Sequence, residues 1–171
     1  GHEDAAKAYF AKGGQSLSFG AKAAWKSKVW EAGLHYNRIT ADGRYLMPRE
    51  WGREPFFTFL PRERNEGFGD VHAFMAKLGH EIPAARIKTS LAAGYYKLPD
   101  VKNFRLNKYG LPSYTQVNVD IRYAFDAFFK GLEAQLLLVG KLRNGETYQN
   151  KKFEINKVNM WMCNFVLNYH F

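Results

Sequence analysis

The chain has 171 residues, a formal net charge of +9 and a single cysteine, Cys163, with 46% hydrophobic and 16% aromatic residues. This length suffices for one domain with a sizeable core. One cysteine excludes an intrachain disulfide framework and any metal site built from several cysteines. No apolar run reaches the length of about 18 residues that a membrane-spanning helix needs. That excludes helical spans only, because strands cross a membrane with about ten residues of alternating polarity.

Seven segments alternate between apolar and polar side chains, which is the pattern of strands, since successive side chains of a strand point to opposite faces. They cover residues 16–26, 29–37, 71–82, 85–96, 115–125, 132–143 and 159–171. The cleanest is "TQVNVDIRYAF", and the noisiest is "VHAFMAKLGHEI", in which His80 falls on the apolar side. The sequence predicts an all-β fold, an antiparallel up-and-down meander that occupies residues 1–171 as one domain.

The connections between these segments are alternately short and long. Tight turns near Ser27, Pro83 and Gly131 alternate with the long connections 41–70, 99–114 and 144–157. Transmembrane β-barrels have short periplasmic turns, long outer loops and girdles of aromatic residues at both interfaces. Aromatic residues lie toward the strand ends here as well: Trp25, Trp30, Tyr36, Tyr95, Tyr123 and Tyr169.

The alternative is a soluble barrel, whose interior is apolar and whose exterior is polar. One face is apolar on nearly every strand, whereas the other carries charges too numerous to bury without partners. This inverted polarity favours a transmembrane β-barrel of the bacterial outer membrane, with its apolar face against the outer-membrane lipids.

The polar face carries an excess of basic residues. Its acids are Glu31, Glu81, Asp120 and Glu133. Its bases are Lys22, Lys26, Lys77, Arg86, Lys88, Arg122, Lys141 and Arg143. Rings or ladders of Arg and Lys in a lumen favour anions, and the arginine fork binds a carboxylate at two points. Arg86 and Arg122 are the leading candidates for contact with a solute. The alternative is that these charges form mixed pairs that a water-filled lumen tolerates.

One long connection, "DGRYLMPREWGREPFFTFLPRERNEGFGD" (42–70), resembles the long outer loop in the C-terminal half of OprD-type porins, which are substrate-specific channels of Gram-negative outer membranes. The likeness centres on "PREWGRE" and "PRERNEG". The segments "LPSYTQVNVDIRYAF" and "KGLEAQLLLVGKL" and the terminal "NYHF" also resemble that family's last strands. The resemblance implies a monomeric barrel of about 18 strands that admits small carboxylate-bearing solutes along a track of basic residues.

The resemblance covers only the C-terminal part of the family's length. The family's N-terminal half, with its inward-folded constriction loop, has no counterpart here. Bacterial single-chain barrels have an even number of strands, about eight or more, and an open sheet leaves unpaired edges in lipid. We expect a fragment of a longer chain, or a wall that a partner chain completes. A compact eight-stranded barrel that uses residues 1–15 as a further strand is the alternative.

Connection 41–70 is longer than most ordered loops, and such loops are usually functional or disordered. We predict that it folds over or into the barrel mouth, with Arg49 or Arg53 presented to the solute. The alternative is that its arginines pair with its glutamates and only hold the loop's shape.

The terminal residue, Phe171, follows alternating aromatic residues. By resemblance, this is the C-terminal signal that outer-membrane barrels present to the barrel assembly machinery.

These observations predict a porin for passive diffusion of small hydrophilic, anionic solutes, with no cofactor and no metal. A small outer-membrane β-barrel enzyme is one alternative, but His35, His72 and His80 have no evident serine partner. A non-conducting structural barrel is the other. Nucleic-acid binding is not expected, because the basic residues are dispersed along one face of the strands rather than gathered in an exposed patch.

Overall fold

The structure is a computed structural model that describes residues 14–46, 55–63 and 65–170. Seven strands form one sheet in chain order, and every neighbouring pair is antiparallel. The strands are β1 (Ser18–Lys26), β2 (Trp30–Ile39), β3 (Val71–Ile82), β4 (Ile87–Lys97), β5 (Tyr114–Ala124), β6 (Leu132–Arg143) and β7 (Met160–Tyr169). The predicted all-β, up-and-down meander is confirmed.

Helical structure in the described residues is limited to short 3-10 turns, namely Pro83–Ala85, Ala127–Phe129 and Lys151–Phe153. No helix in this part of the chain is long and apolar enough to cross a bilayer. The first two turns lie in the short connections, at the end of the sheet that we call the short-turn end. The third lies in a long connection, at the opposite, long-loop end.

The two outer strands of the sheet each have one neighbour among the described residues. β1 pairs with β2, and β7 pairs with β6. Their other edges therefore present backbone N–H and C=O groups without a strand partner in the described part of the chain. Such groups are costly to leave unpaired away from water.

The two faces of the sheet have opposite polarity. The polar face carries Lys22, His35, Lys77, Gln116 and Lys141, and it is aligned across the sheet by the strand register. The other, which we call the apolar face, carries large hydrophobic side chains that are exposed: Phe19, Leu34, Phe74, Leu91, Ile121, Trp161 and Phe165. Leu34 and Phe165 are 66% and 67% exposed. The predicted separation of apolar and polar side chains onto opposite faces is therefore present. The apolar side chains point away from the packed loops.

The core lies at the long-loop end, where loops pack on the polar face. It includes residues from strands and loops alike: Ile39, Phe56, Phe68, Val71, Ala73, Tyr96, Leu98, Tyr114 and Val158. The fully buried Asn107 organises the loop between β4 and β5, because its amide nitrogen donates to the carbonyls of Pro99 (3.0 Å) and Leu111 (2.8 Å). The loops and the sheet therefore share one hydrophobic core, and this core lies on the polar face of the sheet.

His80, a polar residue in the apolar row of β3, has a local explanation. Its ring stacks on that of Trp30 with 3.9 Å between ring centroids, and its Nδ1 lies 3.2 Å from the carbonyl oxygen of Val29. The imidazole therefore serves as a flat packing partner at the short-turn end.

Candidate functional site: a loop across the polar face

Part of the long connection between β2 and β3 lies against the polar face of the sheet. We call its described residues, 55–63, the crossing segment. Hydrogen bonds join this segment to five strands, through side chains on β2, β4, β5, β6 and β7: Asn37, Tyr96, Gln116, Asn118, Lys141 and Asn164. The segment therefore packs on the polar face, whereas the position of the whole connection at a barrel mouth stays a prediction.

One anchor of the crossing segment is Thr58, which is fully buried. Its backbone N–H and its hydroxyl both donate to the Asn37 side-chain oxygen, at 3.0 and 3.2 Å. Its carbonyl accepts a hydrogen bond of 2.7 Å from the Tyr96 hydroxyl. Tyr96 leans back over Gly94, where an added Cβ would lie 2.6 Å from the Tyr96 hydroxyl oxygen. The glycine therefore provides the space in which Tyr96 reaches the loop.

The second anchor is the backbone of Pro61 and Arg62. The Pro61 carbonyl accepts from the amides of Gln116 (2.7 Å) and Asn118 (3.2 Å). The Arg62 carbonyl accepts from the Lys141 ammonium at 2.6 Å. The Arg62 guanidinium in turn donates to the Asn164 side-chain oxygen at 2.6 Å. These bonds fix the path of the backbone, because each carbonyl is bound by donors from a fixed strand position.

Between the anchors, Leu60 packs on the sheet. It forms a buried cluster with Met75 and Ala92, both on the polar face. The crossing segment thus occupies space over the polar face that water or a solute would otherwise fill.

Most of the basic residues predicted to line a path are paired with acids. On the sheet, Lys77 contacts Glu31 at 3.1 Å and Lys88 contacts Glu81 at 3.2 Å. Arg122 bridges two acids, with 3.0 Å to Asp120 and 3.6 Å to Glu133. At the long-loop end, Arg143 contacts Glu154 at 2.6 Å. For these residues the structure favours the alternative of mixed charge pairs.

Three lysines of the polar face form no ion pair with the described residues: Lys22, Lys26 and Lys141. Two of them contact the crossing segment. The Lys22 ammonium lies 5.0 Å from the centroid of the Phe57 ring, and the Lys141 ammonium binds the Arg62 carbonyl and lies 4.9 Å from the Tyr114 ring. Glu63 also attracts Lys141 electrostatically. Positive charge without a paired acid is therefore found beside the crossing segment.

A cavity of about 240 Å³ lies between the crossing segment and the loops of the long-loop end. Three basic side chains line it, Arg62, Lys141 and Lys157, beside Phe68 and Tyr109. The Lys157 ammonium donates to the carbonyls of Tyr109 (2.7 Å) and Lys152 (3.0 Å). Burial lowers the pKa of Lys157, because the charged form loses water there. Because carbonyl partners carry no net charge, they do not neutralise the lysines that line this cavity. The cavity therefore still attracts an anion.

A carboxylate and a phenol tie two of the long loops together. The Lys102 backbone N–H donates to Asp100 at 2.8 Å, and the Tyr148 hydroxyl donates to the same carboxylate at 2.7 Å. These bonds hold the pKa of Asp100 below its usual value, and the bond to Asp100 raises the pKa of Tyr148. The Lys102 ammonium also lies 3.4 Å from the Tyr148 ring centroid.

The expectation that Arg86 lies in a strand is wrong. It precedes β4, in the turn that follows the 3-10 residues Pro83–Ala85, and adopts a left-handed conformation with φ of 56°. Its guanidinium forms an ion pair with Asp126 in the neighbouring turn. The alternating pattern extends to Arg86, one residue before β4 begins, because this turn residue occupies a polar position of the alternation. Arg86 is a residue of the short-turn end rather than of the polar face at mid-sheet.

Other predicted residues lie outside the described part of the chain. These are Arg49 and Arg53, the loop candidates, and Phe171, the terminal residue. Within the described residues, no group of three or more His, Cys, Asp or Glu side chains is arranged to hold a metal ion.

The residues that hold the crossing segment were not singled out from the sequence. The sequence pattern shows Asn37, Gln116 and Asn118 only as uncharged residues of the polar face. Nothing in it marks Tyr96 as a contact of the loop. The usable clue was that amides occur near the long-loop ends of two polar-face strands, β2 and β5. Amides carry both donors and acceptors, and these suit a backbone laid over a sheet.

Comparisons of the chain with protein-family models, with curated proteins and with solved structures find no match.

Proposed function

We propose that this chain forms the C-terminal part of an outer-membrane porin of the OprD type, through which small hydrophilic anions, carboxylates above all, diffuse passively. The observation that carries the proposal is the inverted polarity of the sheet. Large apolar side chains are exposed on every strand of one face, while charges and amides face the crossing segment. Soluble monomers rarely expose apolar patches larger than a few hundred Å², whereas a barrel wall in lipid requires them.

The open edges of β1 and β7 support a larger wall. Edges without partners are not tolerated in the hydrocarbon region of a bilayer. Further strands, from the rest of the same polypeptide or from a partner chain, would pair with these edges, in a barrel of about 18 strands by resemblance. The terminal Phe171 would present this wall to the barrel assembly machinery.

The selectivity follows from charge beside the crossing segment. Lys22 and Lys141 contact the segment without an ion pair to described residues, and Arg62 and Lys157 line the adjoining cavity. A narrow, low-dielectric passage focuses such charge. Diffusion through it needs neither a cofactor nor a chemical step.

Reversal potentials test the proposal. The full natural chain is inserted into planar bilayers under a KCl gradient, and the zero-current potential gives the chloride-to-potassium permeability ratio. We expect chloride to be favoured, and we expect Lys22→Glu to reduce this preference. Lys130→Glu is the matched control, because Lys130 is an exposed lysine in a short turn, away from the crossing segment. Absence of conductance would support the non-conducting barrel instead, and a preference for potassium would contradict the anion path.

A further inference from the structure

Two of the three phenylalanines of the crossing segment point away from the sheet. Phe57 and Phe59 are 40% and 42% exposed, whereas Phe56 is only 7% exposed. Burial alternates along the segment, because Thr58 and Leu60 are buried against the sheet. Phe57 and Phe59 therefore form an aromatic ledge on the side of the segment that faces away from the polar face.

The ledge is held in position by its neighbours in the chain. A tight turn is closed by a hydrogen bond of 3.1 Å from the Phe59 backbone N–H to the Phe56 carbonyl. The Phe56 ring lies in the core and meets the Tyr45 ring edge-on, with 4.9 Å between centroids. Thr58 binds side chains of two strands. Because the residues on both sides of Phe57 are anchored, its ring is fixed in place without being buried.

One cation accompanies the ledge. The Lys22 ammonium lies 5.0 Å from the centroid of the Phe57 ring, and Lys22 is exposed. It forms no ion pair with the described residues. This part of the segment thus combines exposed aromatic surface with a positive charge that no described acid compensates.

These two properties together narrow the class of solute. A compact hydrophilic anion uses the charge alone, and a neutral ring uses the ledge alone. A carboxylate bonded to an aromatic ring uses both, because a ring that lies against the ledge brings its carboxylate toward the Lys22 ammonium. Aromatic pairs favour offset-stacked or edge-to-face geometry, and exposed rings leave room for either.

We propose that Phe57, Phe59 and Lys22 select carboxylates that carry an aromatic ring, with the ring against the ledge and the carboxylate at the Lys22 ammonium. The inference rests on the proposed anion passage and narrows its solute class. The competing occupant of the ledge is another segment of the same barrel, which would cover the two rings permanently.

Three probes separate the two contacts. Benzoate has the charge and the aromatic ring, cyclohexanecarboxylate has the charge alone, and benzamide has the ring alone. The full natural chain is inserted into planar bilayers in KCl, and we measure the concentration of each probe that halves the single-channel current. We expect benzoate to block at the lowest concentration. Equal half-blocking concentrations for benzoate and cyclohexanecarboxylate would overturn the aromatic contact, and equal values for benzoate and benzamide would overturn the carboxylate contact.

Variants of the three residues assign the contacts. Phe57→Ser and Phe59→Ser should each raise the half-blocking concentration of benzoate about two- to tenfold, the range that one aromatic contact contributes. Phe57→Leu, which keeps an apolar side chain without a ring, is the second variant should Phe57→Ser fail to fold. Lys22→Gln should weaken block by both carboxylates and leave benzamide unchanged. Unchanged benzoate block in all phenylalanine variants would overturn the ledge.

The matched control is Phe104→Ser. Phe104 is 61% exposed and lies in the connection between β4 and β5, outside the crossing segment. Its variant should be blocked by benzoate like the unmodified protein, and equal weakening in Phe104→Ser and Phe57→Ser would contradict a local contact. Loss of the chloride current itself in both Phe57 variants would show that the ring packs on another segment of the barrel, which also overturns the proposal.

Failure here is distinguishable from failure of the porin proposal. The chloride current is recorded first without any probe, and a channel that prefers chloride but is blocked alike by all three probes keeps the porin proposal and loses this one. If the protein does not conduct, benzoate binding is measured by saturation-transfer NMR in detergent micelles with the same variants. Binding that depends on Phe57 and Lys22 without conductance would keep the contact and lose the porin.

Discussion

The Gln116 side-chain amide donates a hydrogen bond of 2.7 Å to the carbonyl oxygen of Pro61. Fifty-five positions separate the two residues in the chain. This contact joins the long-loop end of β5 to the backbone of the crossing segment, and Asn118 reinforces it by donating to the same carbonyl at 3.2 Å.

Removal of these amides should loosen the crossing segment. With Gln116→Ala alone, Asn118 still binds the Pro61 carbonyl, so that we expect a loss in the free energy of unfolding of about 1 kcal/mol. With both residues changed to alanine the Pro61 carbonyl has no side-chain donor, and we expect larger, noisier single-channel conductance. Gln135→Ala is the control, because the Gln135 amide binds Asp120 on the same face. Equal conductance of the double variant and the control would contradict an anchoring role.

Gly94 should not tolerate a side chain. An added Cβ would lie 2.6 Å from the Tyr96 hydroxyl oxygen, so that Gly94→Ala displaces the donor that binds the Thr58 carbonyl. We expect a lower thermal midpoint of unfolding and a wider channel. Gly79→Ala is the matched control on the same face, since its nearest contact would be 3.6 Å, to the Glu31 Cβ. Destabilisation of both variants to the same degree would indicate that strand glycine, and not Tyr96, is responsible.

Arg122 and Arg86 should differ in their effect on ion selectivity. Arg122→Gln leaves Asp120 and Glu133 without their shared cation on the polar face, so that the permeability ratio should move toward potassium. Arg86→Gln breaks a pair in which both side chains are about half exposed, at the short-turn end. Such a pair contributes at most about 1 kcal/mol to stability. Zero-current potentials measure both variants, and a larger shift for Arg86→Gln would contradict their placement.

The Asp100–Tyr148 contact should make the long loops sensitive to pH. The pKa of Asp100 is lowered in the folded state, so that its stabilisation is present above the unfolded pKa of about 3.9. That stabilisation is lost as the pH falls through the folded pKa. The raised pKa of Tyr148 acts oppositely, and its contribution is lost as the pH rises through the folded value, above about 10. The protection of loop amides against hydrogen exchange, relative to the intrinsic rate at each pH, should therefore decrease at both extremes.

Tyr148→Phe is the informative variant for this contact. It removes the hydroxyl that binds Asp100 and keeps the ring beside Lys102. We expect the alkaline loss of protection to disappear and the acid loss to shrink, since the Lys102 backbone N–H still binds Asp100. A pH profile unchanged from that of the unmodified protein would show that this pair does not hold the loops.

The strands could be predicted from the sequence because alternation is a local property that each segment carries by itself. β5 shows this well: Val117, Val119 and Ile121 take one face, and Gln116 and Asn118 take the other. Alternation alone cannot locate the end of a strand, because a turn residue can continue the alternating pattern. For this reason the pattern assigns Arg86 to β4, although the residue lies in the turn before it.

The crossing segment could be predicted only in outline. Its length and aromatic content indicated a packed loop, but its position depends on contacts between residues far apart in the chain, such as Thr58 with Asn37 and Tyr96. The individual ion pairs across the sheet could not be predicted from the sequence for the same reason. Lys77 meets Glu31 and Lys88 meets Glu81 across strand pairs, and the register that aligns them is set by turns whose geometry the sequence pattern does not reveal.

Every proposal for this chain depends on lipid meeting the exposed apolar face, and two adjacent residues of β6 test this most directly. Leu136 lies on the apolar face and Gln135 on the polar face, beside Arg122. The free energy of unfolding is measured for Leu136→Arg and Gln135→Arg in the full chain folded into lipid vesicles. An arginine on the lipid face near the midplane costs about 2–4 kcal/mol, so that Leu136→Arg should lose this amount and Gln135→Arg very little. Equal losses, or a greater loss for Gln135→Arg, would contradict a membrane wall with its apolar face outward.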